Sequence, residues 1–109
     1  LLTEMGGESK LIEAEELLME SLDFALEHNN ERDEALVLKR LGRLLLKRED
    51  ANRYQETETY LRRSLDLWKK FSHRYNQREV LYLLATVLEL TNREIEAEDL
   101  RDEANNIPM

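Results

Sequence analysis

The stretch that decides the fold is LKRLGRLL at residues 38–45, because it returns in altered form as LYLLATVL at residues 81–88. A second pair, LMESLDF at residues 18–24 and LRRSLDL at residues 61–67, is related by the same shift of about 43 residues. Two matches at one fixed shift are the sequence signature of an array of repeated helix pairs. Such arrays stack their repeats into a curved surface that typically binds another macromolecule.

Hydrophobic residues recur at three- and four-residue steps, which predicts amphipathic helices. We expect an all-α fold, an antiparallel helix-pair α-solenoid of about five helices. Their predicted bounds are roughly residues 9–28, 33–47, 54–71, 77–90 and 93–105. Ser9 is expected to cap the first helix, the pair Gly6-Gly7 to form an isolated turn, and Pro108 to end the last helix. The extra three residues of the second connection are expected to loop out within residues 47–53.

We treat residues 1–109 as one domain with repeat units at about 9–48 and 52–91 and a partial unit at 93–106. Leu1 and Leu2 align with Leu44 and Leu45, near the end of a helix in the next repeat. We therefore expect the sequence to begin inside a larger array, with a further helix before residue 1.

The composition narrows the class of protein. Hydrophobic residues make up 41% of the chain, which is too many for a disordered tail, and three Gly and one Pro favour helices over sheets. The absence of Cys excludes disulfides and thiolate metal sites. No signal peptide or membrane-length apolar run is recognisable, so we expect a soluble, intracellular, cytoplasmic protein.

Charge is segregated along the chain. Residues 1–38 hold 11 acidic and 2 basic side chains, residues 39–78 hold 5 and 12, and residues 79–109 hold 8 and 2. One explanation is that neighbouring elements of opposite sign attract one another when they stack. The alternative is a basic surface that binds an acidic partner.

The repeat resembles the tetratricopeptide family, whose pattern is W-x₂-L-G-x₂-Y in a first helix and A-x₃-F followed by a small residue in a second. Residues 38–45 and 81–88 fill the first pattern, with Gly42 and Ala85 at its small position. The second pattern appears at residues 14–21, 57–64 and 97–104, where Ser21, Ser64 and Ala104 are the small residues. All five small residues are expected where two helices cross closely. The repeat is similar to the longer ones of kinesin light chain-like arrays.

In this family the first helix of each pair lines a concave groove. The resemblance therefore implies a binding surface for a peptide or partner helix, with an acidic segment favoured. We expect it to comprise Lys39, Arg40, Arg43 and Lys47 from the second helix and Tyr82, Leu83, Thr86 and Leu90 from the fourth. A solvated basic face, or one paired with glutamates of the first helix, explains the same cations equally simply. The nearly apolar fourth helix is either covered by the fifth helix or open to a partner.

The sequence carries no signature of catalysis. His28 and His73 match no metal-ligand spacing, and nucleophile elbows, phosphate loops and H-E-x-x-H helices are missing from the sequence. Trp68 and Phe71 are expected in the core and not in a nucleic-acid site. We predict an adaptor or scaffold module and not an enzyme, with no cofactor, no metal, no nucleic acid and no membrane partner. The alternative is a self-association or assembly segment of a larger multidomain regulator, forming a homo-oligomer.

Overall fold

The computed structural model describes the backbone of residues 2–109 and the side chains from Gly7 onward. Five α-helices follow one another in this part of the chain, and no strand occurs within it, so the predicted all-α fold of five helices is confirmed. The helices are α1 (Leu2–Glu27), α2 (Glu31–Arg48), α3 (Tyr54–Lys70), α4 (Arg74–Leu90) and α5 (Glu94–Asn105), with a short 3₁₀ helix at Ala51–Arg53 between α2 and α3.

Helices α1 and α4 start three or more residues earlier than predicted, and a local cap explains the earlier start of α4. Helix α1 already begins at Leu2, so Ser9 is not a cap and Gly6-Gly7 is not a turn; a glycine inside a helix costs only about 1 kcal/mol. Helix α4 begins at Arg74, three residues before the predicted start. The ring of His73 accepts a hydrogen bond from the Asn76 amide at 3.3 Å and so acts as its N-cap.

Four non-glycine residues adopt the left-handed conformation, and each lies just after a helix. Asn29 and Ser72, which follow α1 and α3, both have a φ of 53°. Glu49 and Asn92, which follow α2 and α4, have φ values of 55° and 62°. Within each pair the two residues are 43 positions apart. These four residues, which we call the left-handed joints, therefore repeat with the same period as the helices. The three residues that break this period between α2 and α3 form the 3₁₀ helix, which confirms where the insertion lies.

The core of the molecule depends on a close crossing of α2 and α3. A Cβ atom added at Gly42 would lie 2.4 Å from Cδ2 and 2.6 Å from Cγ of Leu61, which is fully buried. One turn further along α3, the hydroxyl of Ser64 donates to the carbonyl of Ala35 at 2.7 Å. The predicted small-residue crossing at Gly42 and Ser64 is thus confirmed, and Ala85 and Ala104 are likewise fully buried.

Ser21 does not follow this pattern. It was expected at a crossing, but it is exposed and its hydroxyl donates to the carbonyl of Leu17 within its own helix at 3.0 Å. Among the described residues no other helix covers the side of α1 that carries Ser21, although Leu22 and Ala25 beside it are buried, so this expectation is wrong for the first copy of the repeat.

Each helix packs against its neighbours along the chain, and α2 additionally contacts α4. Helix α4 lies between α3 and α5, which accounts for its nearly continuous apolar surface: Val80, Leu84 and Leu88 have no exposed area. Trp68 is 4% exposed and belongs to the core, as expected, while Phe71 is half-buried. The fold therefore leaves α2 and α4 side by side, with one face of each available for a site.

Candidate functional site

The basic middle of the chain is paired with the acidic segment that precedes it. Arg53 donates to both carboxylate oxygens of Glu15 at 2.7 and 2.8 Å, and also to Glu56. Arg48 reaches the same Glu15 at 2.7 Å. Hydrogen bonds from Arg53, and secondarily from Arg48, lower the pKa of Glu15 despite its partial burial. These contacts fasten α1 to the start of α3.

The same middle segment is also paired with the acidic segment that follows it. Arg62 donates to Glu96 at 3.0 Å, and Lys69 lies 3.1 Å from Glu103. Conversely, Arg93 binds Glu58 of α3, and this hydrogen bond lowers the pKa of Glu58. The acidic–basic–acidic order is therefore used in large part to join helices of the molecule to one another, including α3 to α5, and it is not by itself evidence for an acidic ligand.

Lys39 does not lie on an open surface, although it was expected to project into a groove. It is 6% exposed, and its ammonium group donates to Oδ1 of Asn76 at 2.7 Å and to Glu79 at 3.1 Å. The ring of Tyr75 lies 5.9 Å away. A helical wheel places Lys39 opposite the apolar arc of α2, but it cannot show that α4 covers that position.

The other three cations of the predicted site remain accessible. Arg43 lies one turn after Lys39 and contacts Glu79 at 3.3 Å, yet 55% of its side chain is exposed. Arg40 and Lys47 are exposed as well. Because Arg43 reaches a residue of α4, its face of α2 is adjacent to the face of α4 that carries Glu79.

Along α4 the predicted residues divide into two groups. Tyr82 and Leu83 are half-buried; Leu83 packs against the core, and the hydroxyl of Tyr82 donates to Asn105 of α5. Thr86 is exposed and its hydroxyl donates to a carbonyl of its own helix, and Leu90 is 49% exposed.

Since Glu79, Thr86 and Leu90 recur at helical steps, they share one side of α4. Arg40, although exposed, instead lines a groove between α1 and α2. The accessible part of the predicted site where α2 and α4 meet is therefore Arg43, Lys47, Thr86 and Leu90, a mixed basic and apolar strip.

Two groups of functional interest escaped the sequence analysis. Asn76 and Glu79, which hold Lys39, lie 37 and 40 residues away from it, a distance that no single-helix pattern covers. The second group is an uncovered apolar surface on α1, where Leu17 is 63% and Phe24 is 61% exposed. The 43-residue shift could have indicated it, since Phe24 corresponds to the buried Leu67.

Known proteins give no further guide, because this chain was found to match no family model, no curated protein and no solved structure. Among the residues that the structure describes, no three His, Asp or Glu side chains gather in a way that could hold a metal ion. None of the described helices has the length and apolarity needed to cross a bilayer.

Proposed function

We propose that this chain is a protein-binding module, an adaptor or scaffold piece built as a tetratricopeptide-like solenoid. Three observations support the solenoid arrangement: the 43-residue period, the repeated left-handed joints, and packing that is confined mainly to neighbouring helices. The Gly42–Leu61 crossing lies where the family pattern puts its small residue. In such an array α2 and α4 line the concave side.

The ligand that this surface suits best is a peptide segment with both carboxylate and apolar groups. The observation that carries the proposal is the contact of Arg43 with Glu79. Because of this contact, the face of α2 that carries the exposed Arg43 and Lys47 lies beside the side of α4 that carries Glu79 and, at helical steps from it, the exposed Thr86 and Leu90. Arginine can bind a carboxylate with two parallel hydrogen bonds, and Leu90 adds apolar contact. Glu79 already engages Arg43, so the ligand must compete with it.

Exposed ion pairs are worth only about 0.2–1 kcal/mol each. We therefore expect weak binding that declines with added salt. Lys39 contributes by holding α4 against α2, and Tyr82 and Leu83 support the surface from below.

The proposal is tested by titrating fluorescein-labelled acidic heptapeptides, which contain two Glu, two Leu and a free C-terminal carboxylate, and recording fluorescence anisotropy. Arg43→Glu together with Lys47→Glu should remove binding while the helical circular-dichroism signal stays intact. The matched control is Lys10→Glu together with Arg32→Glu, because it changes the net charge equally at exposed positions elsewhere. Binding that survives the first double variant, or is lost equally in the control, would contradict the proposal.

The alternative, a self-association segment, draws support from the uncovered apolar residues Leu17 and Phe24. Static light scattering over a hundredfold range of concentration separates the two. A dimer that forms regardless of added peptide would favour the alternative.

A further inference from the structure

Helices α1 and α3 correspond to one another under the 43-residue shift, yet one side that is covered in α3 is open in α1. In α3, Ser64 is fully buried and Leu67 is 1% exposed, because α2 lies across them. In α1 the equivalent residues are Ser21, which is exposed, and Phe24, which is 61% exposed. The same surface thus occurs twice in this molecule, once with a helix on it and once without.

The uncovered surface continues onto α2 and forms a groove with it. Helix α2 rests mainly on α3 and also reaches α4, where Lys39 binds Asn76. The residue of α2 that corresponds to Asn76 is Asp33, which is exposed. Phe24 and Asp33 line a groove between α1 and α2. The other lining residues are Glu20, Ser21, Leu36, Val37 and Arg40, so the lining holds two carboxylates and one cation. This groove repeats, one unit earlier in the chain, the place that α2 occupies on α3 and α4.

The charges at the two places are opposite in sign. In the occupied copy, Arg63 of α3 donates to Glu34 of α2 at 2.9 Å, and Lys70 donates to Glu31 at 2.7 Å. In the open copy, the positions of Arg63 and Lys70 are held by two exposed acidic residues.

These two residues are Glu20 and Glu27. Where α2 presents two carboxylates to two cations, an occupant of the open groove must present two cations to two carboxylates. Of the two partners of Lys39, Asn76 is replaced by Asp33 and Glu79 by Leu36. One carboxylate therefore still faces this position, and it should remain basic.

We propose that the groove between α1 and α2 binds an amphipathic helix of a partner protein. The helix lies on α1 as α2 lies on α3. It carries basic residues at positions i, i+3 and i+8, which correspond to residues 31, 34 and 39 of α2, and apolar residues over Phe24. A small residue at i+11, the position of Gly42, crosses Leu18.

A second copy of this chain is a poor occupant on the same grounds. If α2 of another molecule entered the groove, it would place Glu31 and Glu34 against Glu27 and Glu20. The outer side of α5 is no better suited, since its exposed side chains are mostly acidic. Like charges directly opposite one another oppose association.

The probe is an 18-residue peptide with the sequence of residues 31–48, altered by Glu31→Lys and Glu34→Arg and stapled between positions 43 and 47 to keep it helical. The control peptide has the same staple without the two charge changes. Fluorescence anisotropy should show the altered peptide binding the intact protein roughly tenfold more tightly than the control, since two ion pairs change from repulsive to attractive. The altered peptide cannot displace α2 itself, because Arg63 and Lys70 would repel it.

Reciprocal changes in the protein sharpen the test. The double variant Glu20→Arg and Glu27→Lys should reverse the preference, so that the control peptide binds more tightly. Phe24→Ser should abolish binding of the altered peptide, whereas Ile95→Ser, at a residue 80% exposed on α5, should leave it unchanged. All variants change exposed side chains, and circular dichroism verifies that each remains folded.

Three results would overturn the proposal: no binding of the altered peptide, equal binding of both peptides, or binding that persists in Phe24→Ser. A concentration-dependent dimer that Phe24→Ser abolishes would show instead that a second copy occupies the groove. Loss of altered-peptide binding in a longer chain that carries residues before Leu1 would show that a helix of the same chain occupies it, and would likewise overturn the proposal. This test is independent of the strip formed by Arg43, Lys47, Thr86 and Leu90. The double variant Arg43→Glu and Lys47→Glu should bind the altered peptide as tightly as the unchanged protein does.

Discussion

Replacing Gly42 with alanine should destabilise the protein, although alanine is the better helix former. The new Cβ would lie 2.4 Å from Cδ2 and 2.6 Å from Cγ of Leu61, and Leu61 is fully buried and cannot move aside freely. Overpacking of this kind costs about 1–3 kcal/mol. The gain in helix propensity offsets about 1 kcal/mol of it. We therefore expect a net loss of about 1 kcal/mol, and a larger one for Gly42→Leu.

Gly7→Ala is the matched control. Gly7 also lies inside a helix, but a Cβ there would have no atom within 4 Å, so only the propensity gain remains. It should stabilise the protein by up to about 1 kcal/mol. A second control removes the obstacle: in a Leu61→Ala background, Gly42→Ala should become stabilising. The coupling between the two sites is then about 2 kcal/mol, well above the ~0.5 kcal/mol expected for independent sites.

Urea unfolding measures these differences. Trp68 is the single tryptophan and is 4% exposed, so its fluorescence reports the transition alongside circular dichroism. A loss of 1 kcal/mol also lowers the melting temperature of a chain this size by about 4–8 °C. If Gly42→Ala stabilises the protein as much as Gly7→Ala does, or if the coupling with Leu61 is below 0.5 kcal/mol, the crossing does not constrain Gly42 as argued.

Three further outcomes follow from other contacts. Lys39→Met should lower the free energy of unfolding in urea by about 1–3 kcal/mol, because it leaves Asn76 and Glu79 on α4 without their donor. Lys47→Met, at an exposed position, should change it by no more than about 0.5 kcal/mol. Equal effects of the two variants would contradict the buried network. The guanidinium groups around Glu15 lower its pKa, so its stabilising contribution is complete above its ordinary value of 4.5 and is lost as the pH falls through the lowered one. Glu15→Gln should therefore reduce stability at pH 7 by about 1–2 kcal/mol and flatten the acid limb of a stability–pH curve, and an unchanged limb would argue against this site. Ser64→Val should cost about 1–3 kcal/mol, because it removes the hydrogen bond to the Ala35 carbonyl and puts a larger side chain into a fully buried crossing. The same change at the exposed Ser21 should alter the melting temperature little; similar shifts at both positions would contradict the claim that Ser64 is covered by another helix and Ser21 is not.

The sequence predicted what depends on periodicity and composition. The number and type of helices, the core position of Trp68 and the crossing at Gly42 follow from apolar spacing and from small residues at equivalent repeat positions. The start of α4 was missed because histidine is an uncommon cap, and the start of α1 because two adjacent glycines suggested a turn. In both cases the local preference of the residues, for a common capping residue or for a turn at two glycines, is weak, and the rest of the structure overrides it.

The candidate site was harder to predict than the fold. A helical wheel orders residues around one axis, so it identified Arg43 and Lys47 as a basic stripe, but it treated Lys39 as equivalent to them. The burial of Lys39 depends on Asn76 and Glu79, and only the packing of α4 on α2 brings these together. The segregation of charge left attraction between helices and a basic binding surface as alternatives, and it did not indicate which ion pairs would form.

The left-handed joints determine which changes of length this architecture can accept. Asn29 and Ser72 leave the chain in the same backbone state 43 residues apart, and so do Glu49 and Asn92. A segment copied between two such joints begins and ends with matching geometry, so it can be inserted without rotating the helices on either side. An insertion of any other length inside a helix would turn the following residues away from their partners by about 100° per residue. Within the helices, duplication or loss of one whole repeat is therefore the step in length that preserves packing, whereas the connections between helices accept short changes such as the three residues Ala51–Arg53.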